Sequence, residues 1–424
     1  MLENFIAPAW APTMETYRYN NDFNSYNIIN ANTGNTGVNN KYADVRFGLG
    51  SSLMEDGFFS YDHGDQDHGQ LWWYDEYNVD LGRAESESYS EQGFTSYQAD
   101  VWRRDFERGV TIVNSTDLQK RVELNGEYEK IHGTQDVNVN DGSIVSSVDV
   151  NTNDGIILLK TFDTLKDTIF TNGSFARFLD TQGDSVRNGF FVFEDEYRGG
   201  DKIAHIDMNG NGKRDLLVVR GPKITAWRDD GQLFFRLYPY TVNYSGELQI
   251  ALGDINRDDL LELYVAPSKG HKAPIKVYNV YGTSKKSDWY PFGSEYSGGF
   301  DLAVGDFGFD FGGHIILGSS QDAAVNIYNY AYEHELRWQA FSSGVKSGIS
   351  VATGDADNDR YDEIIVGSGV GNGPLIKVFE FDGTEVSSFQ AYQSTLKEGI
   401  DVGTVDVDFD GVVDIVGFSG GFGF

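Results

Sequence analysis

The chain has no cysteine, which excludes disulfides, thiolate metal sites and cysteine nucleophiles. That absence leaves the compartment open. Basic residues are few, with 33 Lys and Arg against 65 Asp and Glu, for a net charge of -32. A nucleic-acid backbone is gripped by clusters of Lys and Arg, so nucleic acid is disfavoured as a partner. Anionic membrane surfaces are disfavoured on the same ground. No stretch approaches the roughly 20 apolar residues of a spanning helix, so no membrane insertion is expected. Residues 1–20 hold charged and polar positions without an apolar centre, and no signal peptide is visible.

What is present supports folded domains. The 424 residues leave room for two or three of them. A hydrophobic content of 40%, with 14% aromatic, suits packed cores, and 50 glycines suit many tight turns.

Five acidic loops recur in the second half. They run over residues 207–215, 254–262, 306–314, 355–363 and 406–414, and their first aspartates are 47, 52, 49 and 51 residues apart. A fixed period of this length signals a repeat fold. Side-chain oxygens at positions 1, 3, 5 and 9 of a tight loop converge on one point, and a glycine at position 6 permits the sharp turn. A hard cation takes six to eight oxygens at about 2.3–2.6 Å, which such a loop supplies with a carbonyl and water. Calcium is therefore the expected cofactor. Its ligands would be Asp207, Asn209, Asn211 and Asp215 in the first loop and Asp254, Asn256, Asp258 and Glu262 in the second. The fourth and fifth would use Asp355, Asp357, Asp359 and Glu363, and Asp406, Asp408, Asp410 and Asp414. The first and last loops match every position, whereas Asp259 and Arg360 replace the glycine of the second and fourth. The third has Gly308 at position 3 and His314 at position 9, and it reads as empty. Asp, Asn and Gly also make plain turns, but five in register are not explained that way.

An apolar run follows each loop, at 216–219, 263–265, 315–317, 364–366 and 415–416, as suits strands buried on both faces. Segments such as Ile-Ala-Leu-Gly-Asp (250–254) and Leu-Ala-Val-Gly-Asp (302–306) precede them, and strands such as Ile-Lys-Val-Tyr (275–278) come after. The pattern resembles the FG-GAP (VCBS) repeats of the integrin α-chain propeller and its bacterial relatives. The resemblance implies a mainly β chain with a calcium-stabilised β-propeller over residues 163–424. Four strands are read between successive loops, as at 216–219, 224–227, 234–238 and 248–252. Residues 175–178, 190–193 and 203–206 read as strands two to four of a further repeat, and 414–418 as its first strand. Joining them closes a ring of five blades and leaves no open edge. An incomplete ring of six or seven is the alternative.

Residues 56–77 are dense in a different chemistry, with carboxylates, two histidines and several aromatic residues. Aromatic faces stack on sugar rings, and paired carboxylates serve as acid and base or nucleophile. By composition the stretch also reads as a surface loop with a Trp-Tyr anchor. Arg46-Phe-Gly-Leu, Asp56-Gly-Phe-Phe-Ser-Tyr-Asp62, residues 72–82, residues 104–114 and Asp154-Gly-Ile-Ile-Leu-Leu159 resemble the end of a hypothetical glycosyl hydrolase family expected to form (β/α) barrels. The resemblance implies the C-terminal part of a barrel at 1–92 and a small all-β, sandwich-like domain at 93–162. It points to Glu3, Asp62, His68 and Glu76 as catalytic candidates and to Trp72, Trp73 and Tyr77 as substrate-binding ones. A full barrel needs about 250 residues, so only its last two or three strand–helix units are expected, and a separately encoded barrel segment becomes a candidate partner.

The function expected is thus a propeller-bearing portion of a glycoside-hydrolase-like protein, non-catalytic alone, binding polysaccharide or a cell-surface glycan or protein. An active glycosidase and an adhesion protein are the alternatives. Loops of this charge call for the high calcium found outside cells, so an extracellular or cell-surface setting is expected.

Overall fold

The computed structural model describes residues 7–21, 27–162, 165–192, 201–308, 312–319, 321–341 and 348–419. The chain divides into two compact units. One comprises Met1–Thr161 with Asp408–Asp410, the other Phe162–Val407 with Gly411–Phe424. No described helix is long and apolar enough to cross a membrane.

In the first unit, β1 (Ile28–Asn32) and β2 (Phe58–Asp62) pair in parallel, with Ile28 opposite Phe58 and Asn32 opposite Asp62. Parallel neighbours need a crossover, which contains helix α1 (Tyr42–Leu53). Alternation along a strand sorts the side chains to two faces. Ile29 packs with Phe47, and Ala31 and Tyr61 pack with Val45 of the helix. Asn30, Ser60 and Asp62 therefore share the opposite face. Two glycines bring α1 close: a Cβ on Gly48 would come within 2.5 Å of the Phe59 ring, and one on Gly50 within 2.7 Å of Val113.

Val113 belongs to a second, six-stranded sheet. Its order is Tyr89–Ser90, Val101–Asp105, Gly109–Asn114, Asp154–Lys160, Lys120–Lys130 and Ile144–Val150. The β-domain expected after residue 93 is thus one sheet. It shares a core with the preceding segment, through Trp10, Met14, Tyr17, Phe47, Tyr97 and Trp102.

The second unit is a β-propeller. Among the described residues it contains five antiparallel sheets, and in each an acidic loop joins two neighbouring strands; in the first sheet Lys202–Ile206 also pairs with Ile169–Thr171. The first loop links Lys202–Ile206 to Asp215–Arg220, and the second Leu248–Gly253 to Glu262–Pro267. The third links Phe300–Gly305 to His314–Ser319, and the fourth Ile349–Gly354 to Glu363–Ser368. The fifth links Asp401–Val405 to Asp414–Ser419. Residues of all five inner strands line one cavity of about 150 Å³, among them Ile206, Ile250, Leu302, Val351 and Val402.

The fifth sheet is assembled from both ends of the repeat region. Asp414–Ser419 pairs with Phe175–Leu179, placing Val416 opposite Phe178, and Phe175–Leu179 pairs in turn with Ser185–Phe191. Lys202–Ile206 does not join that sheet, contrary to the reading of 203–206 as its fourth strand. It bonds across the first loop to Asp215–Arg220. Each sheet therefore starts one strand earlier than the spacing suggests, because a nine-residue loop joins antiparallel neighbours as a hairpin. Residues 193–200 lie outside the described ones.

Candidate functional site

Four of the loops share one backbone form. At position 6, Gly212, Asp259, Arg360 and Gly411 all have φ between 61° and 91°. Asp259 and Arg360 thus take the left-handed turn without being glycine. The first aspartate accepts main-chain bonds that shape the loop. Asp355 takes them from Asp359 N at 3.1 Å and Arg360 N at 3.0 Å, and Asp254 from Asp258 N at 3.1 Å and Asp259 N at 2.8 Å. Position 9 reaches back to position 2, with Ala356 N donating to Glu363 Oε2 at 2.8 Å and Val407 N to Asp414 Oδ2 at 2.9 Å. Neighbouring loops are joined in series: Leu261 N bonds Met208 O, Gly313 N bonds Ile255 O, Asp362 N bonds Asp306 O and Val413 N bonds Asp355 O.

Their electrostatics differ. In the fourth loop, carboxylate oxygens of Asp355, Asp357 and Asp359 lie within 4.8 Å of one another, as do those of Asp406, Asp408 and Asp414 in the fifth. Such groups could hold a cation. Glu363 is 0% exposed and its Oε1 has no hydrogen-bond partner. Burial pushes its carboxyl up to about 7, and the charges of Asp357 and Glu380 add to the shift. A cation beside it would favour the ionised form.

In the second loop that charge is built in. Lys285 Nζ lies 2.6 Å from Glu262 Oε1 and 3.8 Å from Asp258 Oδ2, between the position 9 and position 5 carboxylates. Asn256 turns its amide nitrogen to Glu262 Oε1 at 2.8 Å, acting as a donor. In the first loop Asn209 does the same to Asp215 Oδ2 at 2.9 Å. In the third, Arg257 makes two 2.8 Å bonds to Asp306, and His314 pairs with Glu335 at 3.1 Å. Asp310 of that loop lies outside the described residues. The fourth and fifth loops therefore suit a cation best, and the second suits it least. Lys285 and Arg257 carried no motif in the sequence.

In the first unit, one face of β1 and β2 brings polar groups together. Asn30 Nδ2 donates to Ser60 Oγ at 2.7 Å and to Asp62 Oδ2 at 3.0 Å, and His68 Nδ1 lies 2.6 Å from that same Asp62 oxygen. Asn30 and Asp62 are 3% and 6% exposed, yet Asn30 Oδ1 and Asp62 Oδ1 have no hydrogen-bond partner. Unmet buried acceptors cost about 1–3 kcal/mol each and commonly mark a functional position. Asn30, the middle residue of β1, was not singled out in the sequence.

The other candidates are placed differently. Glu76 is buried beside the Arg46 guanidinium at 3.9 Å and accepts from Asn140 Nδ2 at 2.8 Å. Burial raises its carboxyl above the usual range. Arg46 is also bound bidentately by Asp154, at 3.0 Å for each contact. Glu76 thus belongs to a buried ion network that ties α1 to the six-stranded sheet. Trp72 lies against Tyr61, and Tyr77 against Phe59 and Tyr74. Trp73 is 64% exposed, with its indole N–H on Asn78 Oδ1 at 2.6 Å. Glu3 lies outside the described residues.

Comparison with known families finds one similarity: residues 10–110 match hypothetical glycosyl hydrolase family 15. A comparison with curated proteins found no match. Among solved structures, virginiamycin B lyase from Staphylococcus aureus is similar at 10% identity, covering 71% of this chain and 98% of that one, with a TM-score of 0.35. A Bacteroides caccae protein of unknown function is 12% identical over 53% of this chain and 73% of its own, with a TM-score of 0.32. The biofilm matrix protein Bap1 of V. cholerae is 17% identical over 64% of this chain and 39% of its own, with a TM-score of 0.30. Likeness at this level carries no information about activity.

Proposed function

We propose that this chain is the propeller-bearing portion of an extracellular glycoside-hydrolase-like protein, stabilised by calcium and binding carbohydrate through its first unit. The observation that carries this reading is the pair of buried, unmet acceptors on Asn30 and Asp62, on one face of two parallel strands inside the segment similar to a glycosyl hydrolase family. A sugar hydroxyl both donates and accepts, so it satisfies such acceptors and returns an acceptor of its own. Exposed Trp73 offers an aromatic face nearby in sequence. For calcium, support comes from the grouped carboxylates of the fourth and fifth loops. The ligand would be a polysaccharide or a cell-surface glycan. Among the described residues β1 and β2 pair only with each other, which also suits a separately encoded barrel segment as partner.

Calorimetry against a polysaccharide panel tests this. The wild type binds a glycan, and Asn30→Ala weakens binding about tenfold or more, the loss of one or two hydrogen bonds. A chain that binds a protein partner and no glycan would instead support the adhesion reading.

Active hydrolysis is the second reading, favoured by the 2.6 Å contact between buried Asp62 and exposed His68. A carboxylate in that position orients an imidazole for proton transfer. Release of reducing ends that stops in Asp62→Asn would establish it. Glu76, held by Arg46 and Asn140, is poorly placed to serve as the second carboxylate.

A further inference from the structure

The fourth sheet departs from its neighbours at a position far from its loop motif. Each of the five sheets carries the same short turn after the strand that pairs with its acidic-loop hairpin, and in four of them the turn leads to a further strand. In it, the N–H of one residue bonds a carbonyl four residues on, and its own carbonyl accepts from the residue three on. In the sheet of the fourth loop that residue is Glu380, with Glu380 N on Thr384 O and Gly383 N on Glu380 O, each at 2.9 Å. The equivalent residues elsewhere are Arg228, Asn279, Asn329 and Asp180.

Glu380 therefore faces the one ninth-position carboxylate whose second oxygen is shown unmet. Oxygens of Asp357, Glu363 and Glu380 lie within 4.8 Å of one another, forming a group separate from Asp355, Asp357 and Asp359 and sharing Asp357 with it. Glu363 is 0% exposed, and its Oε1 has no hydrogen-bond partner. In the second loop the comparable space holds the Lys285 ammonium. No ion pair to any of these five carboxylates is found among the described residues.

We propose that the fourth loop holds two divalent cations side by side: one on Asp355, Asp357 and Asp359, and a second on Asp357, Glu363 and Glu380, with Asp357 bridging. The second position pins the loop to the turn between the outer strands, so that the whole width of the sheet is tied to the ion pair. An all-oxygen, anionic set of this kind suits calcium.

This inference rests on the calcium reading above, and its test separates the two. Bound calcium per full-length chain is counted by equilibrium dialysis for the wild type, Glu380→Gln and Asp357→Asn. The Glu380→Gln change lies in a partly exposed turn and keeps the shape of the side chain, so a melt in EDTA equal to that of the wild type checks its fold. The expected result is one calcium fewer in Glu380→Gln and two fewer in Asp357→Asn. An unchanged count in Glu380→Gln overturns the second position, even if affinity falls, because Glu380 would then be at most an added ligand of a single ion. A wild type that binds no calcium overturns the calcium reading itself.

Discussion

Replacing Asp301 by asparagine probes the centre of the propeller. The Ser350 hydroxyl lies 2.8 Å from Asp301 Oδ2 and 2.6 Å from Asp401 Oδ1. Val402 N donates to that hydroxyl at 3.2 Å, and Val351 N donates to Asp301 Oδ2 at 2.8 Å. A hydroxyl has one proton and can donate to one carboxylate only. The other short contact needs a proton held by a carboxyl group. Burial, then the charge of Asp401, pushes Asp301 up to about 6, and Lys202 in the same cavity pulls it back. Asp167 is the remaining charged group lining that cavity.

The native carboxyl thus titrates above its unfolded value of 3.8. Between about pH 4 and pH 6 the folded state keeps a proton that the unfolded chain has released, so stability falls as pH rises through that window. Two units correspond to at most about 3 kcal/mol at neutral pH, less where the cavity admits water. The side-chain amide introduced by D301N mimics the protonated acid and can donate to the neighbouring carboxylate. The variant should therefore melt several degrees above the wild type at pH 8, at about 2–4 °C per kcal/mol for a unit of this size. At pH 4.5 the gap should shrink to about a third. Scanning calorimetry of both proteins at both pH values, in saturating calcium, makes the comparison, and other titrating groups cancel in the difference. A D301N protein less stable than the wild type at pH 8, or a gap independent of pH, would refute the shared proton.

Chelation should lower the melting temperature of the propeller, and calcium at a hundred times its Kd should restore about 2.7 kcal/mol per site; an unchanged melt in EDTA removes the metal assignment. Phe178→Ala empties a fully buried position in the strand that closes the ring onto Val416 and Phe418. It should cost about 3–5 kcal/mol in urea denaturation, and a loss under about 1 kcal/mol would mean that the closing strand contributes little. Lys285→Ala strips the ammonium from Glu262 and Asp258, so the second loop should gain one bound calcium. An equal count in variant and wild type would show that Lys285 does not substitute for a cation.

Much of the propeller was legible because a strand buried on both faces must be an apolar run, and a tight loop beside it must contain Asp, Asn and Gly. The period of the loops and the pairing of residues 414–418 with 175–178 follow from those two constraints. The placement of 203–206 was not legible, since any strand next to a hairpin loop has the same composition whichever sheet it joins. The same limit applies in the first unit. Trp72 and Tyr77 read as a sugar platform, and they lie against Tyr61 and Phe59; an aromatic residue reads alike in a core and in a cleft, so composition does not separate the two. Asn30 is an ordinary residue in a short strand until Asp62 is brought beside it by the parallel register.

The sequence alone thus determined the hairpin loops and their acidic character, which depend on residues within nine positions of one another, and the repeat, which is the recurrence of those loops. Which loops receive a positive charge from elsewhere in the chain was decided only by the tertiary structure. Lys285 reaches Glu262 from 23 residues away, Arg257 reaches Asp306 across 49, and Glu380 faces Glu363 from a separate turn. Coulomb energies depend on separation in space and on burial, not on distance along the chain. For that reason loops alike in composition differ in what they can hold.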